Sequence, residues 1–455
     1  MQKPLFRAAA APLAFVLAAF LAAACTSTDH HDASRDTLER DLARAALDGG
    51  ANPLPAPAGA PPTDRALTAD AAVAAALSSN PSFRADVLAA HEAALAVDAV
   101  ALGPTPMVML EIGVPLTDTA TVPILALLTA SLTDLVTRGD RMEIASLRAQ
   151  AMHLSAIDAA TMLSASVRER HAMAWRAQES LHLAEARFAL AQTQADRESA
   201  LASKGLASVR RDQAGAAMLA SARAQLETAR AAHATAVRAL AVSMGCAREG
   251  ATWTLARPEL PPQPEPGLLA DSADAPAARM AIALAAATRI EADLVRSGLA
   301  QNANLGTGYM QDEEDMKAIP IVLQFALPIG AEGATRDERA ALMDESATLR
   351  AEAALQQAHV RLADALDREA SARVAAEALE RTTLAAARTQ HERLRTLAQR
   401  GAATTKERDQ VRMACLDAES EAVMAHANAC IAAAERVAAS AGLDLAQDGG
   451  RRAER

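Results

Sequence analysis

Along the chain, apolar positions recur first with helical spacing, then with a period of two, then with helical spacing again, and the whole order runs twice. A helix is expected from Leu67, with Thr68 as its N-cap and Asp70 in the positive first turn. Asn80-Pro81 interrupts it, a second segment runs to about Leu102, and Gly103-Pro104-Thr105-Pro106 stops that one. Strand-like alternation follows. Val108, Leu110, Ile112 and Val114 alternate with Met107, Met109, Glu111 and Gly113. After a turn at Leu116 to Ala120, Ile124, Ala126, Leu128, Ala130 and Leu132 share one face, opposite Thr129, Ser131 and Thr133. Residues 141–244 then read as a helical hairpin whose first arm, to Ser203, contains neither Gly nor Pro. At 1.5 Å per residue that arm is about 95 Å long.

The second half repeats the order more weakly. Asn302, Asn304, Gly306 and Gly308 alternate with Ala303, Leu305, Thr307 and Tyr309, and Ile321, Leu323, Phe325 and Leu327 with Val322, Gln324 and Ala326. Between them lies the acidic loop Asp312-Glu313-Glu314-Asp315, and a second hairpin is expected over about 334–441. Thr121–Arg141 and Ala318–Arg339 are matching stretches, and both long arms end alike, at Lys204-Gly205-Leu206-Ala207-Ser208 and Arg400-Gly401-Ala402-Ala403-Thr404. Arg-Asp-Gln follows at 211–213 and 408–410. Leu355, Leu362 and Leu366 trace an apolar seam, and the acid-before-base pairs Asp364/Arg368, Glu369/Arg373 and Glu377/Arg381 sit at i,i+4.

The fold class expected is therefore mainly α with a small β part: a β-hairpin plus a long antiparallel helical hairpin, duplicated. The first repeat spans 67–246 (strands about 107–134) and the second spans 271–443 (strands about 302–329). A Pro-rich linker, 247–270, joins them, and 444–455 is a flexible tail. Strands near ten residues with one apolar face suit a membrane barrel; an ordinary hairpin on a soluble sheet is the alternative. Four strands cannot close a barrel, and an open edge in lipid leaves backbone groups unsatisfied, so a spanning version needs several chains in one barrel.

Composition narrows this picture. Apolar residues make up 51% of the chain and aromatic ones 2%, a balance for slender, closely packed helices. The net charge of −11 argues against a nucleic-acid partner. Residues 1–24 read as a signal peptide, with Lys3 and Arg7 before an apolar run, and Ala22-Ala23-Ala24-Cys25 resembles a bacterial lipoprotein signal acylated at Cys25. Ordinary export with an incidental Cys25 is the alternative; residues 25–66 then form a Pro-rich tether. Cys246, Cys415 and Cys430 read as small buried hydrophobes, and no spacing suggests a metal site or a cofactor. No catalytic fingerprint occurs, so an enzyme is not expected; the scattered histidines, Trp175 and Trp253 support nothing specific.

Leu67 to Phe83, with Asn80-Pro81 inside it, resembles the opening helix of the TolC-type outer-membrane efflux proteins. Leu327-Pro328-Ile329 with Arg336 and Arg339 resembles that family's strand-to-helix exit, and Gly205 and Gly401 match its tip glycines. The likeness covers about 67–443. It implies a homotrimer with a twelve-stranded barrel in outer-membrane lipid, continuing as an α-helical barrel through the periplasm. Its implied partners are a periplasmic adaptor (membrane fusion) protein and an inner-membrane efflux pump, for which the chain is a passive exit duct. Gly205, Leu206, Ser208, Gly401 and Thr404 are the positions implied to dock the adaptor. The family often carries an acid six residues past the tip glycine, which makes Glu407, and then Asp409 and Asp212, candidates to line a constriction; a solvated helix face is the alternative. Two departures stand out: Arg211 holds that acidic position in the first repeat, and the strands offer only Tyr309 and Phe325 for an aromatic girdle. The rival function is a lipid-anchored periplasmic coiled-coil scaffold without a pore.

Overall fold

A computed structural model of the chain describes residues 66–102, 107–112, 124–206, 208–246, 253–262, 275–297, 303–311, 316–324 and 332–440. The expected signal peptide, Cys25 and its tether, the turn at 116–120, the acidic loop and the tail lie outside these. The described chain is mostly helical. In order it runs α1 (Ala69–Ser79), α2 (Pro81–Ala101), β1 (Met107–Ile112), β2 (Ile124–Ser131), α3 (Leu132–Val136), α4 (Arg138–Ser203) and α5 (Val209–Ser243). It continues as α6 (Pro276–Ser297), β3 (Asn304–Gln311), β4 (Lys317–Ala318), β5 (Ile321–Gln324) and α7 (Glu332–Ala378). A π-helical segment (Leu379–Leu384), α8 (Ala385–Gln399) and α9 (Thr405–Ser440) complete it. The chain divides into two compact units, and each draws on both repeats.

The first unit takes residues 87–156 and 277–356. Its centre is an antiparallel sheet in which the two expected hairpins are joined: β1 pairs β2, β2 pairs β3, and β3 pairs both β4 and β5. Pro320 separates β4 from β5 because it has no N–H to give the ladder, although its carbonyl still accepts from Gly308 N at 3.3 Å. Gly308 is dictated by close approach, since a Cβ there would sit 1.9 Å from the Ala126 carbonyl oxygen. The junction with α3 is fixed by Ser131, whose hydroxyl accepts from Asp134 N at 3.1 Å, and by Thr133, whose hydroxyl accepts from Ala303 N at 2.8 Å. The alternating pattern does not translate into one buried face within the protomer. All six residues of β1 are exposed, and the buried strand positions are Leu127 and its face neighbour Gly306, opposite the expected Ile124–Leu132 row.

The second unit takes the segment ending at Asp86, residues 157–276, and residues from 357 onward. Thr68 caps α1 as expected, accepting from Ala71 N at 3.2 Å. Asn80 does three jobs: its amide oxygen accepts from Ser82 N and Phe83 N, capping α2, and its amide nitrogen donates to the Ser243 carbonyl at 2.9 Å. Pro81 follows as the first helical residue, where its missing N–H costs nothing. The Pro-rich segment is held as a strap. Leu255 forms a parallel bridge with Leu67, and Gln178 both accepts from Leu255 N (2.9 Å) and donates to its carbonyl (3.4 Å).

Two imidazoles pin these segments. His171, fully buried, bonds the Leu67 carbonyl through Nε2 at 2.8 Å, and His426 Nε2 faces the Pro258 carbonyl at 2.9 Å. Burial chiefly lowers both pKa values, against the pull of those carbonyls. A depressed base contributes stability that is present above its unfolded pKa and lost as pH falls toward the folded one. The second unit is therefore expected to lose thermal stability as pH drops below about 6.5. A His171→Gln, His426→Gln double variant should show a flatter melting temperature against pH; an unchanged slope would contradict this.

Under the strap lies a buried charge triad. Glu369, with its side chain 2% exposed, accepts from Arg373 Nε (2.9 Å) and Nη2 (2.7 Å) on one oxygen and from Arg436 Nε (2.7 Å) on the other. The arginines spend further N–H groups on strap carbonyls, Arg373 on Pro261 and Arg436 on Pro262. Of the three expected i,i+4 pairs, Glu369/Arg373 and Glu377/Arg381 form, the first of them buried, whereas Arg368 reaches Glu435 instead of Asp364, at 2.7 Å. Cys415 and Cys430 are buried thiols as expected, and burial pushes Cys430 up to about 11.

Candidate functional site

Both hairpin tips belong to the second unit and are built by the same local rule. α4 ends at Gly205 (φ 69°) and α8 at Gly401 (φ 72°), left-handed positions that glycine occupies without a Cβ clash. At the first tip Gly205 N donates to Ala202 O and Leu206 N to Leu201 O; at the second Gly401 N donates to Ala398 O and Ala402 N to Leu397 O. These are paired Schellman closures, which satisfy the last helical carbonyls and turn the chain back. Gly205, Leu206, Ser208, Gly401 and Thr404 all stand exposed at these turns, Leu206 at 70%.

Beyond the turns the tips differ. Thr404 and Glu407 form a reciprocal capping box: Thr404 N donates to the Glu407 carboxylate at 2.8 Å, and Glu407 N donates to the Thr404 hydroxyl at 3.2 Å. The Thr404 backbone N–H, and then its hydroxyl, hold the exposed Glu407 carboxyl below the usual carboxylate range. The first repeat has Arg211 at the matching position, and Ser208 makes no side-chain cap bond. Arg211 instead pairs with Glu198 across the α4–α5 hairpin at 2.8 Å. Nearby, Gly215 lets α5 approach closely, its absent Cβ lying 3.4 Å from Ala195 Cα.

The three acids expected at a constriction thus occupy different settings. Glu407 is exposed and caps α9, and Asp212 is half-buried in the first turn of α5. Asp409 is buried, and its carboxylate is taken by Arg197 at 3.0 Å and Arg408 at 3.0 Å. Arg197 lies on α4 and Asp409 on α9, so this pair clips the first repeat's hairpin to the second's. A second clip lies higher on the same helices, where Arg187 donates to Asp417 at 2.8 Å and to the Leu416 carbonyl at 3.2 Å. The sequence reading missed these clips, because a pairing across more than 200 residues leaves no local spacing to read.

No family model matches the chain, and no curated protein matches it. Solved structures do. The Neisseria gonorrhoeae MtrE outer-membrane channel in its open state superposes with a TM-score of 0.66 at 18% identity, over 81% of this chain and 88% of that one. The Vibrio cholerae outer-membrane protein VceC gives 0.64 at 16% identity, over 82% and 96%. The chain has the TolC-type channel fold. The Campylobacter jejuni CmeC outer-membrane channel gives 0.63 at 13% identity, over 82% and 85%. No helix among the described residues is long and apolar enough to cross a membrane.

Proposed function

We propose that this chain is an exit duct of the outer membrane, three copies closing a twelve-stranded barrel that continues as an α-helical tube. The observation that carries this reading is the sheet itself. Among the described residues it ends in open edges at β1 and at β4/β5, and those edges carry Val108 (74% exposed), Ile112 (62%), Ile321 (79%) and Leu323 (54%). Such edges are an aggregation hazard in water and are untenable in lipid unless other strands pair with them. Edge-to-edge pairing with further copies satisfies the backbone and turns the apolar side chains to hydrocarbon. The 66 residues of α4 would supply a tube wall of about 100 Å.

In this reading Cys25 carries the acyl anchor, and no chemistry is done by the chain. Exposed Leu206 and Val209 at the first tip, with Gly205, Ser208, Gly401 and Thr404, form the face for a periplasmic adaptor that couples the duct to an inner-membrane pump. Glu407 and Asp212 are the acids left to face a passing ion, while Asp409 acts through its clip. Reconstitution in planar bilayers tests the function: stepwise conductance is expected, and its absence at any protein load would favour the pore-free scaffold.

The clips make a second expectation. Arg197→Ala removes the clip nearer the tips, keeps the Arg187–Asp417 clip and leaves Asp409 its Arg408 partner, so the fold should survive. A partly exposed pair is worth about 1 kcal/mol, so the open fraction of the tip should rise by about fivefold. Single-channel open probability reads this directly; no change would show that the clip does not restrain the tip.

A further inference from the structure

A half-open cleft of about 460 Å³ lies within the second unit, away from the tips, inside the size range of small-molecule sites. Three helical faces and the strap line it. α4 gives Trp175, Glu179 and Leu183, the strap gives Leu255, and Leu384 and Val423 come from the facing helices. These give the cleft an apolar lining, to which Glu179, Glu380 and Glu419 add three carboxylates. Trp175 is held edge-on against the His426 ring, with centroids 5.4 Å apart.

The charges lining the cleft are mostly matched. Arg257 pairs with Glu380 at 3.3 Å and Arg388 with Glu419 at 3.6 Å. Glu179 is the exception: its one charged contact among the described residues is His182 Nδ1 at 3.9 Å, and that histidine is 60% exposed. His426 cannot serve as its cation. Its Nδ1 lies 3.2 Å from Arg257 Nη2, which can only donate, so that nitrogen keeps its lone pair. The cleft therefore carries one carboxylate more than its cations neutralise.

The backbone adds an independent sign. The only π-helical turn among the described residues, Leu379–Leu384, sits at this cleft and delivers both Glu380 and Leu384 to it. Wide turns of this kind are uncommon and cluster at functional sites. We propose that this cleft binds amphiphilic organic monocations, with the Glu179 carboxylate as counter-ion and the Trp175 ring and leucines as the floor. A cation beside an indole is attracted by the ring beyond its apolar burial, and an anion of the same shape is not.

The test uses two probes alike in shape and opposite in charge, tetraphenylphosphonium and tetraphenylborate, dialysed against the full-length protein in detergent with protein-free micelles as blank. The phosphonium should bind saturably and quench tryptophan emission, whereas the borate should show only micelle partitioning. Glu179→Gln, at a side chain one third exposed, should keep its helicity and weaken phosphonium binding about tenfold or more. Trp175→Phe should remove the quench while retaining binding. Equal binding of both probes, no saturable binding of either, or an unaltered Glu179→Gln variant would each overturn the proposal.

Discussion

Glu369→Ala is expected to destabilise the second unit by about 3–5 kcal/mol, the cost of leaving a buried charge without its partner. Both Glu369 oxygens are engaged, and its removal leaves Arg373 and Arg436 facing each other with side chains 12% and 10% exposed. The strap should loosen with them, because Pro261 and Pro262 are held by the same two guanidinium groups. Urea unfolding of the purified protein, followed by circular dichroism, gives the size of the effect, and hydrogen exchange at 253–262 gives its location. The triple replacement Glu369→Leu, Arg373→Met, Arg436→Met removes all the charge together and should recover most of the loss. If the triple variant is no better than Glu369→Ala, the strap contacts and not the charge balance are what hold this core.

Gly308→Val is the second large effect. Even a first side-chain carbon at that position would sit 1.9 Å from a backbone oxygen of β2, and no rotamer relieves a clash with backbone. The cost should exceed about 3 kcal/mol and fall on the β2–β3 pairing that joins the two repeats. Gly306→Ala is the built-in comparison. Its new Cβ would meet Thr129 Cγ2 at 2.7 Å, a side-chain atom that can rotate, so Thr129→Ser should rescue it. Membrane-inserted oligomer, read by its resistance to detergent at moderate heat, should vanish for Gly308→Val and be retained by the Gly306→Ala, Thr129→Ser pair. Full assembly of Gly308→Val would refute the register described here.

What the sequence made legible follows from how local each signal is. Thr68, Asn80-Pro81 and the glycines at 205 and 401 act within a turn of chain, and the structure puts each where its spacing predicts. The duplication made the two tips and the strand pairs visible together. Long-range features were not visible. The strap reads as a loose Pro-rich linker because nothing nearby announces Gln178 or His426 as its partners.

The Glu369 triad is instructive because half of its signal was present. Leu355, Leu362, Glu369 and Ala376 recur at heptad spacing, so Glu369 continues the very seam that the leucines define. A glutamate there reads as an i,i+4 partner of Arg373 when only its own helix is considered. Its position on the seam places it inside, and a buried carboxylate calls for a second cation from another helix, which Arg436 supplies. The strand pattern failed differently. Alternation assumes that one face is buried within the chain, yet β1 is exposed throughout, and Leu127 shows the opposite face as the better covered one. In the proposed duct such strands would take their burial from lipid and from other copies.

The most direct test of the duct is electron microscopy of the mature protein, extracted from membranes in mild detergent, together with its oligomeric mass. A three-fold hollow cylinder of about 100 Å or more is expected, its length set by helices of the size of α4. Solid rods with the mass of one or two chains would contradict it and leave a lipid-anchored scaffold.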